Sequence, residues 1–560
     1  MEPDFVFEIG RALNIKFTVY IYVMYFSLDL NDRKDYHTLS MIDKTDISVK
    51  KNLFPGTGQV LIYPCFEKYS FKGDNKANLL KKISQKIDTK LSRRQFEGKE
   101  EQMVLIDGEN HYEAVLFLGM GKKEELSMAQ CQKLLINALT KLKEKGLTEV
   151  NLFHFKELGE DFFAIGEMLA VSLSTANYQF LKHKGKEERK TLNKIISNFK
   201  FQISPTLQSE SDQKRRTKIQ SKIKKIEEGI EFGKIVSDGI NLCRDLVNEP
   251  GSHIYPETLE QIAFQIEKES KGKVKVEVLD EDECRRLGMG AFLGVAQGSE
   301  RKPKFIILHY QGNKATRQQG NKKICLIGKS ITFDSGGISL KPSKGMEEMK
   351  IDMAGGAIVL GVFKILAELH GSEIPTELHG KEIYGILPAC ENMPSGKALK
   401  PGDVVMTMNG KTVEVITTDA EGRMILADAI SYAEKYLKPK IIIDIATLTG
   451  ACMVALGKKI AGAFSNKQSL IDSILRLAKN TGEEIWPMPL YKPYLKDMKS
   501  EIADIKNVSG TGLAGAITGA LFLSEFVTKT DWLHLDVAGP VFDKQATGWG
   551  VKTLVDFVVK

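Results

Sequence analysis

Residues of the kind that hold metal ions or polarise carbonyl groups crowd two short stretches of this chain. The first, "CLIGKSITFDSGGISLKPSKGMEEMKIDMAGGAIVLGVFKILAEL" at 325–369, presents Lys329, Asp334, Lys341 and Asp352, with an "SGG" whose glycines permit tight turns. The second, "VITTDAEGRMIL" at 415–426, adds Asp419, Glu421 and Arg423. Singly, each has an ordinary structural explanation. Lys329 can be a solvated strand-end lysine, Asp334 a turn former, Lys341 a surface cation and Asp352 the N-cap of the helix after it; Thr418 and Glu421 have the spacing of a capping box. Together, two neighbouring junctions would have gathered seven charged residues for unrelated reasons. Carboxylates brought close repel one another and need a cation, for which a pair of divalent metals is the usual answer. The nine histidines include no HExxH and no pair at helical spacing, so a hard-oxygen site for Mn²⁺, Mg²⁺ or Zn²⁺ is expected.

The elements that must position these residues read as alternating strands and helices. Over residues 41–181, "QVLIYPCF", "MVLIDG", "AVLFLGMG" and "EVNLFHF" have strand character, and "LSMAQCQKLLINALTKLKEKG" has helical periodicity. "GMG" at 119–121 lacks the third glycine and downstream acid of a dinucleotide fingerprint and reads as a strand-ending turn. Ile219, Ile223, Ile226 and Ile230 mark a long helix running through Ile235 towards "NEPG", where Pro250 forbids more helix. Beyond it, "KFIILHY", "KICLIG", "IYGILPA", "TVEVI" and "KIIIDIATL" are apolar runs with little polar alternation, as in strands buried on both faces. The expected fold is α/β: a smaller N-terminal α/β domain, then a larger domain with a mainly parallel central sheet flanked by helices. The boundaries expected are an N-terminal extension at 1–40, the smaller domain at 41–181, a basic linker and connecting helix at 182–234, and the larger domain at 235–560. Ligands of such sheets bind beyond the carboxyl ends of the strands, where the charged residues fall.

Composition excludes several classes. At 560 residues with 42% hydrophobic and 27% charged side chains, the chain is an ordinary multidomain globular protein. The net charge of +7 is local, because residues 182–228 hold 14 Lys/Arg and 6 Asp/Glu. Seven scattered cysteines without a CxxC pair argue against a disulfide framework and for a reducing, cytoplasmic location. "FTVYIYVMYF" near the N-terminus is about half the length of a membrane span and has no small-residue cleavage site after it; it reads as a strand or part of a poorly ordered extension.

"GKSITFDSGGISLKPS", "MKIDMAGGA", "TTDAEGRMILADA", "ATLTGA" and "WLHLDVAG" resemble, in order and spacing, the leucine aminopeptidase (cytosol aminopeptidase) family. The resemblance covers the C-terminal half closely, residues 41–181 more loosely, and the first 40 residues not at all. It implies a metal-dependent aminopeptidase that removes N-terminal residues, preferably leucine or other apolar ones, from peptides with a free N-terminus. One divalent ion (Mn²⁺ or Zn²⁺) would be held by Lys329, Asp334, Asp352 and Glu421, the other by Asp334, Asp419 and Glu421. A metal-ligating lysine must be neutral, and a nearby dication favours that. The two ions would activate a water for attack on the scissile carbonyl, and one would take the substrate's α-amine. Lys341 would stabilise the oxyanion, and Arg423 would bind a bicarbonate that shuttles the proton. Met349, Thr447, Gly450 and Ala538 match positions lining the pocket for the first side chain. The resemblance further implies a homohexamer. Thr417 departs from the family, which usually carries asparagine there.

Two other readings remain open from the residues alone. The same acids and lysines suit two-metal hydrolysis of phosphate esters. The basic 182–228 stretch could contact nucleic-acid phosphates, giving an additional DNA-binding role. No membrane association is expected.

Overall fold

Apolar runs separated by turn residues form one large sheet in each of the two units into which the chain divides, residues 1–237 and 238–560, and the second unit adds two small sheets. The computed structural model describes residues 46–50, 58–67, 96–107, 112–147, 149–153, 161–185, 198–202, 213–312, 323–369 and 381–559. The 1–40 extension with "FTVYIYVMYF", and positions 186–197 and 203–212 of the basic stretch, lie outside these residues.

In the first unit, β1 (Asp46–Lys50), β2 (Gly58–Cys65), β3 (Met103–Asp107), β4 (Tyr112–Gly119), β5 (Glu149–Phe153) and β6 (Asn198–Gln202) form a sheet of order β1-β6-β5-β2-β4-β3. Its pairings are parallel except for the β3 edge. Two helices, α1 (Met128–Glu144) and α2 (Phe162–Asn177), share its core. Helix α1 starts where Ser127 accepts a hydrogen bond from Gln130 N (3.1 Å), and it buries Cys131, Leu134, Leu135, Ala138, Leu139 and Leu142, one face of a 3.6-residue repeat. Gly121, after β4, adopts φ 71°, as the strand-ending turn requires. The isoleucine-marked helix α3 spans Gln213–Asn248.

The second unit is built on nine strands: β7 (Val274–Leu279), β8 (Lys304–Gln311), β9 (Lys323–Gly328), β10 (Ser330–Asp334), β11 (Glu382–Asn392), β14 (Ile441–Ala446), β15 (Ala461–Ser465), β16 (Ile485–Pro487) and β18 (Asp531–Asp536). Strands β18, β14, β9 and β11 run parallel side by side, and β10 extends the pairing along β11. Antiparallel pairs flank this parallel core, β11 with β8 and β7 on one side and β18 with β15 on the other. The "TVEVI" run does not join this sheet. Its strand, β13 (Thr412–Glu414), pairs instead with β12 (Val404–Met406) and β17 (Ile505–Lys506); Val415 N keeps the β12 register by donating to Asp403 O, while Ile416 N turns to the Asn507 side chain and the pairing with β17 stops. Among the described residues, no helix is long and apolar enough to cross a membrane. All seven cysteines are buried and free.

The helices of this unit include α4 (Pro256–Glu269), α5 (Gly290–Ala296), α6 (Ala354–Glu368) and α7 (Glu421–Tyr432). The last two carry the chain away from the charged stretches. Helix α7 is held by Asp428, whose carboxylate accepts from Met408 N (2.8 Å) and Phe292 N (2.9 Å). Burial pushes this carboxyl up to about 7, against those backbone donors, which pull it down. A carboxyl that titrates near 7 folded and about 4 unfolded binds its proton more firmly when folded. Its contribution is complete below about pH 4 and is lost as pH rises through 7. Asp428→Asn, neutral throughout, should therefore gain stability relative to the parent between about pH 4 and 7, by on the order of 4 kcal/mol at about 1.4 kcal/mol per pH unit. Chemical denaturation across this range measures the difference, and a constant difference would contradict the assignment.

Candidate metal centre and active site

The parallel strands end on one edge of the sheet, and the charged residues gather there. Lys329 lies at the break between β9 and β10. Its N–H donates to Ile445 O and its carbonyl accepts from Gly356 N, both at 2.9 Å, so the backbone is fixed between β14 and the start of α6. Helix α6 can approach this closely because position 355 carries no side chain: a Cβ there would run into Ile445 O. The "AGGA" after Asp352 is thus a packing requirement, and it delivers Asp352 to Lys329.

Lys329 Nζ donates to Asp352 Oδ1 and Glu421 Oε1, each at 2.8 Å, and to Thr447 O at 2.9 Å. A second lysine, Lys341, holds Asp334 Oδ2 at 2.7 Å and Asp419 Oδ1 at 2.6 Å. The two differ in environment: the Lys329 side chain is 3% exposed and that of Lys341 20%. One carboxylate oxygen each from Asp334, Asp419 and Glu421 lies within 4.8 Å of the others. Six of the residues singled out in the sequence therefore meet at one place, and Arg423 lies one helical half-turn past Glu421 on α7.

The ordinary explanations account for only part of what the structure contains. Lys329 is buried. Asp352 caps nothing: α6 starts at Ala354, and Met353, at its N-cap, makes no side-chain cap bond. Thr418 is not half of a capping box. Its hydroxyl donates to Gly336 O (2.6 Å) and accepts from Ser339 N (2.8 Å), binding the "SGG" turn to the start of α7, while Ala420 at the N-cap has no capping side chain. Asp334 ends β10 and does form the turn after it, its Oδ1 accepting from Gly336 N at 2.9 Å, but its Oδ2 is taken by Lys341, which a turn former does not require. Gly336 takes φ 87°, and a Cβ there would approach Asp419 Oδ1 to 2.9 Å, so the turn depends on glycine.

Four carboxylates here face two ammonium groups, and the charge is unbalanced. Burial raises Asp352, with Glu421 and Asp334 adding to the rise against Lys329. Burial, together with Glu421, raises Asp334 to about 6 against the pull of both lysines. Burial and Glu421 likewise raise Asp419. Glu421 alone is lowered, because Lys329 and Lys341 outweigh its burial. Both lysines are raised despite burial by the acids around them. Asp352 Oδ2 and Glu421 Oε2 are buried without a hydrogen-bond partner. Buried carboxylate oxygens left bare beside a cluster short of positive charge fit divalent cations. Arg423, also buried, donates from Nη1 to Asn507 O (2.7 Å) and leaves Nε without a partner; burial lowers it to about 10 against Glu421 and Asp536, and the free donor suits a small anion.

The pocket candidates fall on neighbouring loops. Thr447 and Gly450 follow β14, and Ala538 follows its partner β18; Thr447 Oγ1 donates to Asp352 Oδ1 (2.7 Å). Met349 lies on the helical turn Met346–Ile351 that leads into Asp352, whose N–H donates to the Met349 carbonyl. Sequence reasoning missed three residues. Asn392 Nδ2 donates to Asp334 Oδ1 (2.8 Å) and Thr418 O (3.0 Å), joining the two acidic segments. Asn507 accepts from Ile416 N (2.8 Å) and donates to Thr417 O (2.7 Å), bonding the backbone around the departure at Thr417. Gly422 sits where a Cβ would lie 2.5 Å from Lys329 Cε and 2.6 Å from Nζ. No periodicity marks any of them.

A doubly wound sheet whose strand ends collect carboxylates and lysines in this way is the framework of a metal-dependent hydrolase. The family models agree on which one. Residues 241–555 match the catalytic domain of the cytosol aminopeptidase family, and residues 62–187 match its N-terminal domain. The cytosol aminopeptidase of Pseudomonas aeruginosa is 40% identical over 486 residues, 85% of this chain and 91% of that protein. A probable cytosol aminopeptidase of Persephonella marina is 36% identical over 511 residues, 88% and 95% of the two chains. Among solved structures, a lysine-to-glutamate mutant of tomato leucine aminopeptidase shares 32% identity with a TM-score of 0.79, covering 93% of this chain and 97% of that one. The chain belongs to the cytosol aminopeptidase family. It is an aminopeptidase, a metallo-exopeptidase that hydrolyses peptides.

Gly422→Ala should displace Lys329 and, since misplacement by about 1 Å can cost roughly 100-fold, lower aminopeptidase activity by about that factor with reduced metal content. Parental rate and metal content in this variant would contradict the packing described.

Proposed function

We propose that the enzyme removes leucine and other apolar residues from peptide N-termini by means of two divalent ions, Mn²⁺ or Zn²⁺. Lys329, Asp334, Asp352 and Glu421 would hold one and Asp334, Asp419 and Glu421 the other. The observation that carries this reading is the convergence of four carboxylates with bare buried oxygens on Asp352 and Glu421. When bound, the ions supply Lewis-acid polarisation of the scissile carbonyl and an acidified water.

The chain's own residues divide the remaining work. Lys329, enclosed on all sides, is the lysine suited to ligation; a dication beside it would favour the neutral amine over the ammonium now shared by Asp352 and Glu421. Lys341, on the open side of the cluster, keeps its charge and is suited to stabilise a developing oxyanion. Arg423, with Nε unpartnered, is suited to hold a bicarbonate that carries the proton to the leaving amine. Leucine preference is supported by the small or apolar character of Met349, Thr447, Gly450 and Ala538. Cytoplasmic residence is supported by the names of the relatives. Assembly as a homohexamer is supported by large apolar side chains left in solvent, Val454 at 86% and Leu513 at 73% exposure among them.

Asp352→Asn and Glu421→Gln should each lower bound metal and reduce leucine amide hydrolysis by at least about 100-fold, in the range found on removing groups that stabilise transition-state charge. Unchanged stoichiometry and rate would defeat the two-ion reading. The parent should leave N-acetyl-leucine amide uncleaved, since the blocked amine cannot ligate.

A further inference from the structure

A further buried carboxylate lies outside the acid cluster and caps no helix. Asp536 ends β18 and is 1% exposed. Its Oδ1 accepts from the N–H groups of Leu448 (3.3 Å), Thr449 (3.5 Å) and Ala538 (3.3 Å), and its Oδ2 accepts from Thr449 Oγ1 at 2.6 Å. The donors come from the two loops that carry the pocket candidates, 447–450 after β14 and 538 after β18. Thr449 Oγ1 in turn accepts from Cys452 N (3.1 Å), so the hydroxyl is committed at both ends.

The other end of the 447–450 loop is tied to the metal centre. Thr447 O accepts from Lys329 Nζ and Thr447 Oγ1 donates to Asp352. The segment 447–450, three loop residues and the first residue of the helix Gly450–Leu456, is thus gripped by the acid cluster at its first residue and by Asp536 at its second and third. A carboxylate suits this place because it only accepts, and every group aimed at it donates; an amide would turn its NH₂ towards the Thr449 hydroxyl.

We infer that Asp536 is a positioning residue for substrate selection: by fastening the 447–450 loop to Ala538 it fixes the width of the pocket for the first side chain, without touching substrate. The role rests on the proposed pocket for that side chain. A loosened wall costs a large side chain its packing and costs a small one little, so the effect falls on discrimination.

The test compares leucine amide with alanine amide. Asp536→Asn should lower the ratio of their kcat/KM values by about tenfold, within the range that one or two methylenes command in a fitted pocket. The change should lie mainly in KM for leucine amide, at parental metal content. Thr449→Val, which removes only the hydroxyl bonds, should move the ratio the same way by about threefold, and Thr449→Ser should restore it. A parental ratio in both Asp536→Asn and Thr449→Val, or equal losses on the two substrates, would overturn the role. Gly450→Val separates the two claims. If it shifts the ratio while Asp536→Asn does not, only the positioning role falls; if it leaves the ratio unchanged, the pocket reading falls and takes the positioning role with it.

Discussion

An ammonium group enclosed by protein and shared between two carboxylates is the constraint around which the catalytic unit is organised. Lys329 reaches Asp352 and Glu421 at 2.8 Å each from a buried position. Removing one partner from such a buried pair typically costs about 3–5 kcal/mol, because the other charge is left without compensation. The surrounding backbone shows how much is arranged to avoid that. The β9–β10 break aims the lysine inward, the glycines after Asp352 let α6 close against β14, and Gly422 leaves room for the amine itself. None of these features would be needed to complete the sheet.

The acids around Lys329 exceed the cations available to them, and the structure partitions the imbalance. The enclosed lysine and the open one each take a pair of carboxylates, and oxygens on Asp352 and Glu421 remain bare. Such an arrangement is poor as a stability device and good as a binding site for dications. The same edge of the sheet carries the loops after β14 and β18, so the proposed pocket for the first side chain and the proposed metal ligands share one short connection through Thr447.

The charged residues were legible in the sequence because carboxylates and lysines clustered at strand-to-helix junctions have few structural uses in that number. Strands buried on both faces were legible for the same kind of reason: "KICLIG" and "KIIIDIATL" lack polar alternation, and both lie in the parallel core. "TVEVI" has a similar apolar look, but only Val413 is buried within its three-residue strand and its partners are β12 and β17, so it belongs to a small separate sheet. The capping-box spacing at Thr418 and Glu421 misled because tertiary partners 79 and 82 residues away took the threonine hydroxyl. Asn392, Asn507 and Asp536 were not legible. Apart from the bond of Asp536 to Ala538 N two residues on, each acts through partners brought near only by folding, and an asparagine or aspartate at a strand end carries no local mark of what it will hold.

The most direct measurement is anomalous diffraction from crystals grown with Mn²⁺ and recorded near the manganese edge. The expected result is two peaks, one bounded by Lys329, Asp334, Asp352 and Glu421 and the other by Asp334, Asp419 and Glu421. Manganese located elsewhere, with Lys329 still bridging Asp352 and Glu421 as an ammonium in an active enzyme, would contradict it.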